Sequence, residues 1–186
     1  KMSVPEDSKQ AVFLDRDGVL NRSLVRDGKP YPPNSLDELE ILPGVEDACG
    51  SLKNARFILV CVTNQPDLAR GTQSLEVVEE INQTLKEKLG LDDVRVCPHD
   101  GADGCDCRKP KPGHLLDAAR DFDIDLTSSI MVGDRWRDIE AGQNAGCRTV
   151  FIDYGYDEQQ PIDPDHVCSD LQGAVSWILE NTNNER

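Results

Sequence analysis

No apolar run in this sequence approaches the eighteen or so residues of a membrane-spanning helix, which argues against a helical membrane protein. Positive charge is scarce: Lys and Arg total 20 against 35 Asp and Glu, leaving a net charge of −15. So acidic a chain repels the phosphate backbone of nucleic acids and anionic membrane surfaces, so neither is expected as a partner. A secretory leader is not legible either. Lys1 to Gln10 is polar, and the first apolar run, Ala11 to Leu14, holds four residues, too few for a signal-peptide core. An even set of cysteines is missing: there are seven, and an odd number without a leader argues against a disulfide framework. Internal repeats and low-complexity segments are absent. A cytoplasmic monomer is expected.

What is present reads as one globular domain spanning 1–186, with 38% hydrophobic and 30% charged residues. Short apolar runs alternate with helical patterns. Ala11–Leu14, Phe57–Val62, Val94–Cys97, Ser129–Val132 and Thr149–Ile152 read as strands. Helices are expected from Pro43 to about Lys53, from an N-cap at Ser74 to Leu89, and over His114–Phe122, Arg137–Ala145 and Leu171–Leu179. Gly90 and Gly146 read as helix stops. This alternation predicts a three-layer, Rossmann-like α/β sandwich with a mostly parallel sheet. Ligands of such sheets bind beyond the carboxyl ends of the strands. Two long loops, Asp17 to Pro43 and Pro98 to Gly113, are the other candidates for function.

The predicted strand ends carry a chemically coherent set. Asp15-Arg-Asp17 follows the first strand, Thr63-Asn64-Gln65 the second, and Gly133-Asp134 with Asp138 the fourth. Lys109 closes the loop after the third strand. Carboxylates with other oxygen donors suit Mg²⁺. A carboxylate near such an ion can attack phosphorus, while a lysine and a hydroxyl hold phosphate oxygens. Arg16 and Arg135 read as surface charges or ion-pair members.

Phe13-Leu-Asp-Arg-Asp-Gly-Val-Leu-Asn21, Val62-Thr-Asn-Gln65, Lys109 and Gly133-Asp134-x-x-x-Asp138 resemble, in order, the four motifs of the haloacid dehalogenase superfamily. The fuller Asp-Arg-Asp-Gly-Val-Leu-Asn and Cys107-Arg-Lys-Pro-Lys-Pro-Gly113 strings are similar to its cap-poor group of heptose-bisphosphate and histidinol phosphatases. The resemblance implies a phosphatase without a large cap domain, working through an aspartyl phosphate. Asp15 would be nucleophile and Mg²⁺ ligand. Asp17 would be general acid and base, with its backbone carbonyl on the metal. Thr63 and Lys109 would hold the phosphoryl group. Asp134 would complete the metal's protein ligands, and Asp138 would orient its water. Arg108 falls at a substrate-recognition position. Asn64 and Gln65, and a loosely matched stretch containing Ser23 and Arg26, would contact substrate. The implied substrate is a small phosphorylated sugar, the 7-phosphate of a heptose 1,7-bisphosphate, with histidinol phosphate as the rival. Two readings from other classes stay open at this point. One is a phosphoacceptor signalling domain, against which the second carboxylate, Asp17, argues. The other is a non-catalytic zinc-stabilised interaction module.

Cys97-x-His99 and Cys105-x-Cys107 form the second cluster. Three thiolates and an imidazole match a closed tetrahedral Zn²⁺ site with no open position for catalysis. The zinc-binding loop, about 97–113, is expected to brace the segment delivering Arg108 and Lys109.

Overall fold

The computed structural model describes residues 8–182. Most of the polar N-terminal stretch read above as lacking a leader lies outside them. In chain order the elements are β1 (Ala11–Leu14), a hairpin of β2 (Leu24–Arg26) and β3 (Lys29–Tyr31), α1 (Val45–Asn54), β4 (Ile58–Asn64) and α2 (Asp67–Arg70). There follow α3 (Leu75–Leu89), β5 (Asp93–Cys97), α4 (Gly113–Phe122), β6 (Ile130–Gly133) and α5 (Trp136–Ala145). β7 (Arg148–Ile152), β8 (His166–Cys168) and α6 (Leu171–Thr182) complete the described chain.

Six strands form one sheet in the order β5-β4-β1-β6-β7-β8, every neighbouring pair parallel. The period of two along each strand sorts its side chains onto two faces. Val12, Leu14, Leu59, Cys61, Ile130, Val132, Val150 and Ile152 belong to a core shared with α1, α3 and α6. Ala11, Phe13, Val60, Val62 and Met131 belong to a second core with Leu115 and Ala118 of α4. Both faces of the sheet are therefore covered, and the central strands need apolar side chains at every position. That is why they read as unbroken apolar runs.

Local chemistry sets the boundaries. Ser74 Oγ accepts the Val77 N–H at 3.1 Å and starts α3, and Gly90 ends it at φ +67°. Leu75, at the first helical position, is 58% exposed, so the buried stripe begins a turn later, at Val78. The hairpin inside the first long loop is an unforeseen element. Its turn is Asp27-Gly28, both with positive φ, the conformation such a dipeptide favours. Three-residue β8 and four-residue α2 were also too short to give a periodic signal.

The chain leaves β1 for β4 on one side of the sheet and later returns to β6 on the other. The switch point of the topology thus lies between β1 and β6, where a crevice opens beyond the strand ends. No helix among the described residues is long and apolar enough to cross a membrane.

Leu59 is wholly buried at the middle of the sheet, whereas Leu116 on α4 is 39% exposed. Leu59→Ala should destabilise by about 2–5 kcal/mol, and Leu116→Ala by no more than about 0.5 kcal/mol. Chemical denaturation measures both, and equal losses would contradict the assignment of the core.

Candidate active site

Asp15 stands immediately beyond β1, its N–H donating to the Val132 carbonyl of β6 at 3.1 Å. Asp134 follows β6. Asp138 lies in the first turn of α5, where Oδ2 accepts the Arg135 N–H at 3.1 Å. A carboxylate there satisfies an otherwise unpaired helix-terminal donor. Oxygens of Asp15, Asp134 and Asp138 all lie within 4.8 Å of one another, and all three residues are buried. Gly18 makes this approach possible. A Cβ at that position would come within 2.0 Å of Asp134 Oδ2, and its φ of +89° suits glycine.

One cation answers these charges. Lys109 Nζ donates to Asp15 Oδ1 at 2.9 Å, to Asp138 Oδ1 at 2.7 Å and to the Val62 carbonyl at 2.6 Å. Burial works against its charge, but Asp138 and Asp15 outweigh burial and hold the ammonium above its usual range. Burial, followed by the charge of Asp15, raises Asp138 to about 6 although Lys109 opposes the shift. Burial, then Asp15 and Asp138, push Asp134 well above the ordinary carboxylate range. Asp134 Oδ2 accepts the Tyr156 hydroxyl at 2.8 Å, while its Oδ1 is buried with no hydrogen-bond partner. Three buried carboxylates against one ammonium, with an orphan oxygen among them, fit a hard divalent cation such as Mg²⁺.

Asp17 faces the same crevice. Its Oδ1 accepts from Asn21 Nδ2 at 3.0 Å and its Oδ2 from Gln65 Nε2 at 2.9 Å. The reading of Arg16 as a surface charge or ion-pair member is corrected in its first half: the side chain has no exposed area and is ion-paired with Asp17. Arg135, half-buried, pairs with Glu158 at 2.6 Å. Gln65 Nε2 also donates to Thr63 Oγ1 at 2.9 Å. The hydroxyl is thereby used as an acceptor, and its proton remains for an anion.

The loop carrying Lys109 is moored at several points. Asn64, expected to touch substrate, accepts the Lys109 N–H and donates to the Lys109 carbonyl, both at 3.1 Å. The Gln65 N–H reaches the Cys97 carbonyl at 2.9 Å. Arg108 Nη1 donates to the His99 carbonyl at 3.4 Å. Ligand atoms of Cys97, His99, Cys105 and Cys107 converge within 4.8 Å, His99 offering Nδ1 at 3.3 Å from Cys107 Sγ. Burial resists ionisation of Cys105, but the Arg108 N–H and the neighbouring thiols outweigh it and draw the thiol down to about 7. Burial instead raises Cys97 and Cys107, and three thiols and an imidazole brought together in this way are a soft donor set that fits Zn²⁺.

A cavity of about 310 Å³ opens over these groups. It brings together Asp15, Asp17, Ser23, Thr63, Asn64, Gln65, Arg108, Lys109 and Asp138. Arg26 is not among its walls. Its guanidinium lies 5.7 Å from the Tyr31 ring centroid, and Lys29 of the same hairpin lines the cavity instead. Arg70, Arg135 and Arg137 are further wall residues. Tyr154 and Tyr156 escaped the sequence reading although they follow β7. Tyr154 donates to the Gly18 carbonyl at 2.8 Å. The rule about strand ends, applied to the fifth strand, finds them.

A HAD-hydrolase-like family model matches residues 106–174. The D-glycero-D-manno-heptose-1,7-bisphosphate 7-phosphatase of Thermosynechococcus vestitus is 35% identical over 91% of this chain and 95% of that protein. The D-glycero-beta-D-manno-heptose-1,7-bisphosphate 7-phosphatase of Haemophilus influenzae is 41% identical over 92% of each chain. The crystal structure of D,D-heptose 1,7-bisphosphate phosphatase from B. bronchiseptica, complexed with magnesium and phosphate, superposes with a TM-score of 0.74 at 34% identity. That match covers 92% of this chain and 98% of the other. With the fold and these relatives in agreement, the chain belongs to the haloacid dehalogenase superfamily, where the relatives it matches are heptose-1,7-bisphosphate 7-phosphatases.

Proposed function

We propose that the protein is a Mg²⁺-dependent phosphomonoesterase that removes the 7-phosphate of D-glycero-D-manno-heptose 1,7-bisphosphate through an aspartyl phosphate on Asp15. The observation that carries the reading is the cavity itself: in a chain of net charge −15, its walls include Lys29, Arg70, Arg108, Lys109, Arg135 and Arg137. Arg70 is paired with Asp100 and Arg135 with Glu158. Among the described residues, Lys29, Arg108 and Arg137 have no carboxylate within salt-bridge distance. Such a local cationic wall suits a substrate with a second anionic group, because the overall field opposes anions.

The residues divide the chemistry as follows. Lys109 holds Asp15 Oδ1, leaving Oδ2 to attack phosphorus. As the P–O bond to the sugar breaks, Asp17 gives its proton to the departing alkoxide. Asp17 then takes a proton from water, whose oxygen attacks the aspartyl phosphate and frees phosphate and Asp15. Thr63 donates to a phosphoryl oxygen, and the Lys109 ammonium, its three N–H groups on Asp15, Asp138 and the Val62 carbonyl, offsets the charge of the phosphoryl group. Mg²⁺, held by Asp15, Asp134 and the Asp17 carbonyl, would supply positive charge against the repulsion between carboxylate and phosphoryl group. Asp138 keeps Lys109 and the metal-facing carboxylates in register. Arg108, Gln65, Ser23 and the hairpin surround the sugar.

A substrate panel tests this directly. With Mg²⁺ present, kcat/KM should be highest for a heptose 1,7-bisphosphate anomer, lower for fructose 1,6-bisphosphate, and lowest for histidinol phosphate. Histidinol phosphate ahead of every sugar bisphosphate would replace the proposed substrate with an amino-alcohol phosphate.

The cluster of Cys97, His99, Cys105 and Cys107 is proposed to bind Zn²⁺ as a structural brace. Purified protein should carry about one zinc per chain, as a four-ligand site requires. Replacing Cys105 and Cys107 together by Ser should lower the melting temperature, because metal binding contributes to folding free energy. Turnover should fall with it as Arg108 and Lys109 lose their support. A zinc-free protein whose double variant matches it in melting temperature and rate would exclude a metal at this site.

A further inference from the structure

Arg16 heads the large side chains that are fully buried in the described residues. An arginine in a protein interior is costly unless its donors are engaged, and here they are engaged at both ends. Nε donates to Asp17 Oδ1 at 3.1 Å and Nη2 to Asp17 Oδ2 at 3.3 Å. Nη1 donates to Asn82 Oδ1 at 2.9 Å. Asn82 sits on α3, on the same buried stripe as Val78, Ile81 and Leu85, and is 8% exposed. An amide on an apolar stripe is unfavourable without a partner, and its carbonyl is given to Arg16. A polar relay therefore runs from α3 through the core to the floor of the crevice.

The relay is aimed at orientation. A guanidinium is planar and grips a carboxylate with a two-point fork, which fixes the plane of that carboxylate as well as its position. Asp17 is the wall residue whose proposed task depends most on direction, since proton transfer needs the two heavy atoms within about 2.6–3.2 Å of each other. Asn21 and Gln65 hold the same two oxygens from the loop side. The Arg16 fork comes from behind, anchored on a helix. We infer that Arg16, oriented by Asn82, is a positioning residue that sets the Asp17 carboxylate toward the leaving oxygen. The inference rests on the role given to Asp17 above.

Arg16 itself is a poor place to test this. Its side chain is fully buried and bonded to both Asp17 and Asn82, so its replacement leaves a void and takes a partner from both polar groups at once. Asn82, 66 residues away, contacts the fork from the far side. Asn82→Leu, Asn82→Asp and Asp17→Asn are compared on heptose 1,7-bisphosphate, whose alkoxide needs a proton, and on p-nitrophenyl phosphate, whose leaving group does not. Saturating Mg²⁺ is used, with melting curves recorded alongside.

In Asn82→Leu, kcat for the sugar phosphate should fall roughly ten-fold more than kcat for the aryl phosphate, a fraction of the 10²–10⁴ that acid–base catalysis contributes. KM for both should stay within about two-fold, because the fork touches neither substrate. Asn82→Asp retains an acceptor for Arg16 and should restore the ratio. Asn82→Ala, a smaller change, should carry the same leaving-group signature if Asn82→Leu does not fold. Equal losses on both substrates, or no loss on either, would overturn the inference. The control separates the layers: leaving-group selectivity in Asp17→Asn without any in the Asn82 variants overturns the positioning role alone. Its absence in Asp17→Asn overturns the role of Asp17 and this inference with it.

Discussion

The ammonium of Lys109 is the point on which the site depends. It is 2% exposed and bonded to Asp15, Asp138 and the Val62 carbonyl. Those three groups come from the end of β1, the first turn of α5 and the last residues of β4. A buried cation is tolerable only with all its donors engaged, and removing one charged partner of a buried pair costs about 3–5 kcal/mol. The sheet order that brings β4, β1 and β6 side by side thus has a chemical consequence. It assembles around one charge the carboxylates that would otherwise repel each other. Asp134 completes that group, raised well above the usual carboxylate range first by burial and then by Asp15 and Asp138, and the surplus of negative charge is what a divalent cation offsets.

The loop that delivers Lys109 has little secondary structure, so its geometry must be imposed. Asn64 clamps its backbone from one side. The thiol–imidazole cluster folds the preceding residues back on themselves, with Arg108 resting on the His99 carbonyl. Loop, sheet and helix terminus thereby meet around the carboxylates of the crevice. The walls further out carry the cations. A strongly acidic protein can in this way present a locally positive crevice, since screening confines the general field to about 10 Å at ordinary salt.

Much of this was legible in the sequence because strands buried on both faces leave plain apolar runs, and the fold places function at their ends. Asp15, Asp134 and Asp138 follow from that logic, as does the cysteine cluster from its spacing. The hairpin at Leu24–Tyr31 was not foreseen, because three-residue strands with exposed side chains have no periodic signature. Arg16 misled for a related reason. An arginine between two aspartates looks like a solvated ion pair, and only the approach of α3 reveals that it is enclosed. The clue was at the other end: Asn82 interrupts the apolar stripe of its helix, and a polar residue in such a stripe implies a partner. Arg26 lies off the cavity, its guanidinium over the Tyr31 ring, while its cross-strand partner Lys29 lines the wall.

The central claim is that Asp15, held by Lys109, becomes covalently phosphorylated. Trapping that ester tests it most directly. The protein is quenched during turnover with Mg²⁺ and a sugar bisphosphate, reduced with borohydride, and digested for mass spectrometry. Reduction of an acyl phosphate converts the aspartate to homoserine. The account predicts homoserine at position 15 and nowhere else, and only when substrate is present. An unmodified Asp15 under conditions that trap the ester in a known aspartyl-phosphate enzyme, or the label at Asp17 or Asp134 instead, would contradict it.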